Sequence, residues 1–409
     1  MTVRADPYAA LRFPEFRALL ASGVASSFAS RALAVVIGYQ IYQLTKSPLA
    51  LGWLGLVEAA PALGLALIGG HVADRRDRRR ILLITRVIML VTALMMAFVG
   101  GTSLAALYTL VFITGLARGF GDPASSAFET QVVPMGAFVN AGSWLGSAGQ
   151  AAAMVGPAVG GFAFDLMGAR GAYLMIAVLH AVSLVTLALI APKPLPVMPG
   201  DPEPIGQSIR TGVQFVARDR VLVGSMALDL FAVLFGGAVA LLPVFAHDIL
   251  KVGATGLGFL VAAPSVGALL AMLWATRHPP LARAGLSLLL NIAGFGVSII
   301  VFALSRSLWL SLVALALSGA FDGVSMVIRR AIVRLRTPDH LRGRVAAVSL
   351  LFIGSSNEIG AFESGVAANL LGTARSVWAG GIVTLLVVAA TAGLVPELRH
   401  LSLIEPQDD

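Results

Sequence analysis

The chain reads as an all-α membrane protein, with twelve transmembrane helices in two pseudo-symmetric six-helix bundles. Three observations lead there. Its 409 residues are 57% hydrophobic and only 12% charged, with a mean hydropathy of +0.88. Continuous apolar stretches of about 20 residues, each long enough to cross a hydrocarbon core about 30 Å thick, recur from end to end. The second half of the chain repeats glycine and proline positions of the first.

The approximate spans are 17–44, 48–72, 80–100, 103–127, 139–166, 171–191, 219–249, 255–276, 282–304, 307–330, 344–371 and 375–395. The runs do not alternate, and a helix satisfies its own backbone hydrogen bonds in lipid, so strands are a poor reading. The first span is long and carries Arg31, unlike a short cleavable leader, so it is expected to remain as a helix.

Lys and Arg set the expected orientation. One set of segments holds Arg4, Arg12, Arg17, the Arg75–Arg80 cluster, Lys193, Arg210, Arg218, Arg220, Arg277, Arg283, the Arg329–Arg344 cluster and Arg399. The other holds Lys46, Arg170, Lys251, Arg306 and Arg375. The bias of roughly 21 against 5 predicts that both termini are cytoplasmic. The net charge of +8 therefore sits in short loops and does not point to nucleic acid.

One connection, 192–218, is long. It opens on Pro192, Pro194, Pro196, Pro199, Pro202 and Pro204, a stiff extended stretch. An amphipathic segment follows, with Ile209, Val213, Phe215 and Val216 beside Arg210 and Arg218, expected to lie partly along the membrane surface. The expected organisation is a bundle over 1–191, a cytoplasmic linker over 192–218, and a second bundle with a short tail over 219–409.

The repeat has an offset near 204 residues. Gly55, Ala59, Ala60, Pro61 and Gly64 recur as Gly258, Ala262, Ala263, Pro264 and Gly267. Gly115 and Gly119 recur as Gly319 and Gly323, and Pro134 as Pro338. Gly156 and Gly161 recur as Gly360 and Gly365, and Leu166 and Gly168 as Leu370 and Gly372. Two six-helix halves joined by a central linker is a parallel-repeat transporter plan, with a substrate site between the halves near mid-membrane.

Three motifs carry a family resemblance. Gly70, Asp74, Arg75, Arg78 and Arg79 follow the order G-x-x-x-D-R-x-x-R-R, which resembles the loop signature of the major facilitator superfamily. Asp77 stands where that family usually has glycine. Gly156, Pro157, Gly160 and Gly161 read G-P-x-x-G-G, similar to the antiporter signature of drug:proton exchangers, with Ala152 in place of an earlier glycine. The stretch Pro338 to Val345, with Pro123-Ala124, resembles the branch containing the enterobactin exporter and related bacterial efflux proteins. The resemblance implies that Asp74 and Arg75 lock cytoplasmic helix ends and help set the balance of inward and outward states. Read alone, the arginine cluster serves topology, and the glycine motif is ordinary small-residue packing or a segment that bends and slides.

Charges inside a span cost about 2.5–3.5 kcal/mol or more, so each asks for a partner or a wet cavity. The candidates are Arg31, Glu58, Arg118, Asp122, Asp229, Asp322, Glu358 and Glu363. Spans 9 and 12 carry none at depth, span 3 has Arg86 near its end, and span 6 has His180. By the resemblance, spans 1, 4, 7 and 10 line the cavity while spans 3, 6, 9 and 12 face lipid. Glu58, Asp229 and Asp322 are the proton-coupling candidates; Arg31, Arg118, Asp122, Glu358 and Glu363 are the substrate-cavity candidates. Arg118 and Asp322 occupy equivalent repeat positions and are expected to pair across the cavity in one state only, to form a permanent structural ion pair, or to hold separate partners such as Asp122. Glu358 and Glu363 project about 140° apart on a helix. Arg31 either forms a structural pair or attracts an anionic substrate.

The chain has no cysteine, its six histidines show no ligand spacing, and no enzyme triad or ATP-binding glycine loop stands out. No metal, cofactor or enzymatic activity is expected. The resulting expectation is a proton-coupled antiporter of the bacterial inner membrane. It would export small amphipathic molecules such as siderophores or drugs by alternating access, and act as a monomer. A nutrient symporter or lipid flippase of the same fold is the alternative, and a transport-inactive receptor or scaffold a third.

Overall fold

A computed structural model describes residues 6–99, 103–195, 205–278, 280 and 282–403. The predicted prolines Pro196, Pro199, Pro202 and Pro204 lie outside the described residues, as does the side chain of Ile209. Among the described residues the structure is helical, without a strand.

The long helices are α1 (Pro14–Thr45), α2 (Pro48–Arg75), α3 (Arg78–Val99), α4 (Leu104–Val132), α5 (Phe138–Ala188), α6 (Ile205–Arg218), α7 (Arg220–Gly236), α8 (Gly253–Arg277), α9 (Ala284–Leu304), α10 (Leu308–Arg336), α11 (Arg342–Leu371) and α12 (Thr373–Leu394). Ten helical segments among the described residues are long and apolar enough to cross a membrane. Twelve spans were expected, and two features account for the difference. The fifth and sixth spans form the single helical run α5, broken by non-helical backbone at Gly168 (φ 69°, ψ 178°). The eleventh span is the 30-residue α11, which is not among the ten. The seventh span is also interrupted. α7 ends at Gly237, and 3₁₀ and π-helical turns carry the chain on to Ile249.

The breaks follow the repeat. Gly168 and Gly372 both have positive φ (69° and 85°), a region open to glycine because it lacks a Cβ. Pro134 and Pro338 have nearly the same extended backbone (φ −61°, ψ 148° and φ −58°, ψ 148°), each leading into a 3₁₀ turn. Lys46 and Lys251 stand in corresponding turns, and both take positive φ (51° and 56°) without being glycine.

Internal packing divides the chain into two compact units: Met1–Leu44 with Val57–Asp201 and Gly253–Gly258, and Thr45–Leu56 with Pro202–Val252 and Phe259–Asp409. The first turns of α2 thus belong with the second unit, and those of α8 with the first. Close backbone approach explains both exchanges. A Cβ on Gly365 would stand 2.8 Å from the Cα of Gly52, and a Cβ on Gly161 would meet the backbone of Ala254. Asp165 reinforces the latter by accepting from the amides of Ala254 (3.2 Å) and Thr255 (2.7 Å) at the start of α8.

In the first unit, Phe16, Leu82, Phe128, Leu187 and Ile190 form a buried core. In the second, Leu222, Leu228, Leu288, Ile328 and Ile332 do the same, joined by Val216 of the linker helix α6. Gly212 brings α6 onto α11, where an added Cβ would lie 2.8 Å from Arg344 O. Exposed apolar side chains line α3 (Ile84, Val91, Phe98), the second arm of α5 (Val178, Val185), α9 (Leu290, Val297) and α12 (Leu386, Leu394). Lipid tails suit such faces.

Candidate ion-pair sites within the helices

α2 and α4 cross closely because Gly115 and Gly119 have no side chain. A Cβ on Gly119 would lie 3.0 Å from Leu65 Cβ and 3.2 Å from Pro61 O. The crossing sets Glu58 beside Arg118, whose Nη1 donates to Glu58 Oε1 at 2.6 Å. Arg118 Nε lies 3.7 Å from Asp122 Oδ2, one turn further along the same helix. These side chains are partly exposed: 40% for Arg118, 36% for Glu58 and 67% for Asp122. One guanidinium is therefore shared by two carboxylates on two helices.

The second unit builds a related cluster with different residues. Arg329 on α10 pairs with Asp229 on α7. Its Nη2 also donates to Asp322 Oδ1 at 3.3 Å, two turns back on its own helix. Arg329 and Asp229 are largely shielded, whereas Asp322 is about half exposed. Asp229, Asp322 and Ser325 line a small cavity with Asn291, Phe295 and Phe321.

Each candidate acid of these two clusters thus has an arginine partner in its own unit. Arg118 is held by Glu58 and Asp122, and Asp322 by Arg329. Sequence reasoning placed Arg329 among the arginines of a cytoplasmic loop; it lies inside α10 and organises the cluster. The available signal was spacing, because residues seven apart share a helix face. Arg86 and His180 also turn inward. Arg86 Nη1 donates to Met89 Sδ at 3.4 Å, and His180 is 2% exposed.

The remaining candidates have other neighbours. The stem of Arg31 faces Gly156, where an added Cβ would come within 2.7 Å of Arg31 Cβ. Gly160 packs likewise on Ala32 of α1. Pro157 lies within α5 next to Gly258, whose Cβ would meet the Pro157 carbonyl. Glu358 Oε2 approaches Gly55 on the first turns of α2. Glu363 lines a cleft with Phe235, Ser364 and Val377.

In the α2–α3 loop, Arg78 does most of the tying. Its Nε donates to Ala73 O and its Nη1 to Ala127 O, both at 3.0 Å, and Asp74 lies 3.5 Å from its Nη2. Arg79 Nη2 donates to Ala188 O at 2.8 Å. Gly70 has open space around its missing Cβ. Asp77, at the position where glycine is usual, accepts from the amide of Arg80 (3.3 Å) and so caps the start of α3.

Comparison with known proteins adds a framework to this geometry. A family model described as transmembrane secretion effector matches residues 5–406. The enterobactin exporter EntS of Escherichia coli K12 is 27% identical over 398 residues, covering 96% of this chain and 95% of that protein. The enterobactin exporter EntS of Shigella dysenteriae serotype 1 is likewise 27% identical, with the same coverage. Among solved structures, a peptide transporter POT in complex with sulfate superposes with a TM-score of 0.74 at 15% identity, covering 96% of each chain. A bacterial homologue of the human lysosomal transporter Spinster gives 0.73 at 15%, covering 94% of this chain and 97% of that one. At these identities the structural likeness speaks for the fold alone.

Proposed function

Since the chain belongs to the transmembrane secretion effector family of the major facilitator superfamily, a family of multi-pass transporters of small molecules, we propose that it is a proton-coupled exporter of amphipathic molecules of the siderophore or drug class. The observation that carries the proton coupling is the pair of arginine clusters, Glu58–Arg118–Asp122 and Asp229–Arg329–Asp322. Charges in membrane-spanning helices are expensive, and neither fold nor lipid contact demands them. In each cluster one guanidinium has two carboxylates as ion-pair partners, with Arg31 and Arg86 near the first cluster and Arg330 near the second. A proton on one carboxylate can change which acid the arginine holds. Residues of this kind can take a proton on one side of the membrane and release it on the other while the two halves alternate access. One proton crossing 100 mV supplies about 2.3 kcal/mol.

The relatives named as enterobactin exporters favour export of a siderophore-like molecule, a catecholate or a compound of similar amphipathic character. The bacterial inner membrane, with both termini in the cytoplasm, is the corresponding location. The test is transport in proteoliposomes under an imposed pH gradient with a panel of catecholates and amphipathic drugs. Substrate movement against the proton gradient's direction, abolished when the gradient is collapsed, is expected. Movement with the protons would favour a symporter, and movement indifferent to the gradient would remove the coupling.

A further inference from the structure

We propose that Asp322 is the proton-exchanging group of the second unit, that Asp229 is a standing counter-ion, and that Arg329 is the positioning residue that stays on Asp229 and reaches Asp322 only while that acid is ionised. This rests on the proton-coupled reading above and deepens it. The three side chains differ sharply in access to water. Asp229 is 12% exposed and Arg329 14%, whereas Asp322 is 45% exposed. A shielded acid and a shielded guanidinium in contact neutralise each other, and separating them would leave two buried charges alone. That pair therefore persists. Of the two acids, Asp322 is the more exposed, so it is the one whose charge can change without stripping Arg329 of its shielded partner.

Arg329 has the reach for two arrangements. It sits two helical turns beyond Asp322, its Nε donates to Ser325 O at 3.4 Å, and its Nη2 reaches back to Asp322 Oδ1 at 3.3 Å. With Asp322 ionised, the guanidinium is divided between two helices, α7 and α10. With Asp322 protonated, it turns wholly to Asp229. The proton adds to a carboxylate oxygen of Asp322 from water and returns to water, and no other bond forms or breaks. The cavity beside it, lined by Asn291, Phe295 and Ser325, has room for about one water molecule to carry the proton. Asn291 Nδ2 donates to Ser287 O (2.7 Å), and Arg330, on the same helix as Arg329, is a further cation within its electrostatic reach.

The test is infrared difference spectroscopy of the full-length protein in lipid nanodiscs through a series of pH steps, reading the protonated-carboxyl stretching band. Wild type is expected to show a band that Asp322→Asn removes. In Asp229→Asn, Asp322 becomes the sole counter-ion of Arg329, so the band is expected to move to more acidic pH. Arg329→Gln is expected to move it to less acidic pH, and Arg329→Lys to keep it. Should Asp322→Asn not fold, Asp322→Glu, with the same acid on a longer stem, must shift the frequency of that band. A difference spectrum unaltered by Asp322→Asn or Asp322→Glu, or a midpoint indifferent to Asp229→Asn, would overturn the assignment. Gradient-driven transport that survives such a result leaves the coupling and removes this site. An intact titration in a protein that ignores the gradient does the reverse.

Discussion

Arg118 and Glu58 meet at 2.6 Å between α4 and α2, with about two fifths of each side chain exposed. Because the pair is partly exposed, it stabilises the fold weakly; exposed ion pairs are worth about 0.2–1 kcal/mol. Glu58→Gln is therefore expected to lower the melting temperature of the detergent-solubilised protein little. Transport is expected to fall by about tenfold or more, a barrier change near 1.4 kcal/mol. Arg118 would keep Asp122 at 3.7 Å but lose its charged partner on α2. Transport at the wild-type rate and pH profile in Glu58→Gln would exclude this acid from the coupling.

Asp219 gives a pH dependence of stability outside the spans. It caps α7, its Oδ1 accepting from the amides of Val221 (2.9 Å) and Leu222 (3.2 Å), while Oδ2 accepts from Arg336 Nε at 2.7 Å. Burial pushes the carboxyl up, but the Arg336 bond and the two amides outweigh it and hold it below the usual carboxylate value. A lowered folded value means the stabilisation is complete above the unfolded value, about 3.9. It is lost as pH falls through the folded value. Melting curves should therefore show a drop on acidification below about pH 4 that Asp219→Asn reduces, since Asn keeps the cap and loses the charge. Asp219→Ala should cost about 1 kcal/mol at neutral pH through the lost cap.

The repeat glycines separate into packed and open positions. A Cβ on Gly323 would stand 3.1 Å from the Cα of Ala268, and one on Gly319 would collide with the backbone of Pro264. Gly64 has nothing within 4 Å. Gly319→Val is expected to abolish folded yield in size-exclusion profiles, because overpacking costs about 1–3 kcal/mol even where side chains can yield. Gly64→Ala should be neutral or stabilise by up to about 1 kcal/mol, since alanine is the better helix former. Equal behaviour of the two variants would contradict this reading of the α8–α10 crossing.

How far the sequence discloses the molecule depends on how local the physics is. Gly168, Gly372, Pro134 and Pro338 are legible because backbone freedom and a missing amide act at the residue itself. The helices are legible because bilayer thickness sets a length. The partner of Asp229 was not legible. Arg329 stands in a basic run, and only the packing of α10 on α7 turns it inward. Arg86 and His180 are similar, since nothing near them in sequence distinguishes a buried face from a lipid-facing one. The exchange of the first turns of α2 and α8 between units has the same cause. Gly52, Gly161 and Gly365 are visible as small residues, but their mates are more than ninety residues away in the chain.

Lys46 and Lys251 carry the same backbone strain and differ in what their side chains do. Both take positive φ, which costs a residue with a Cβ about 1–2 kcal/mol relative to the right-handed conformation. Lys46 Nζ also lies 2.8 Å from His247 Nε2, while His247 Nδ1 is 2.5 Å from Asp248 Oδ1. The imidazole is thereby bridged between an ammonium and a carboxylate, and the turn before α2 is tied to the π-helical end of the seventh span. Glycine at either position relieves the strain, although it frees the unfolded chain in partial compensation. Lys251→Gly is expected to raise the melting temperature slightly. Lys46→Gly should gain less or lose, because it also forfeits a charge-assisted hydrogen bond worth about 1.5–3 kcal/mol when shielded and less here. The double variant Lys46→Gly with His247→Ala isolates the difference. If the contact stabilises the turn, His247→Ala lowers the melting temperature more in wild type than once Lys46 is glycine, where only the bond to Asp248 and other contacts of His247 remain to be lost. Equal losses in both backgrounds would mean that the Lys46–His247 contact contributes nothing to stability.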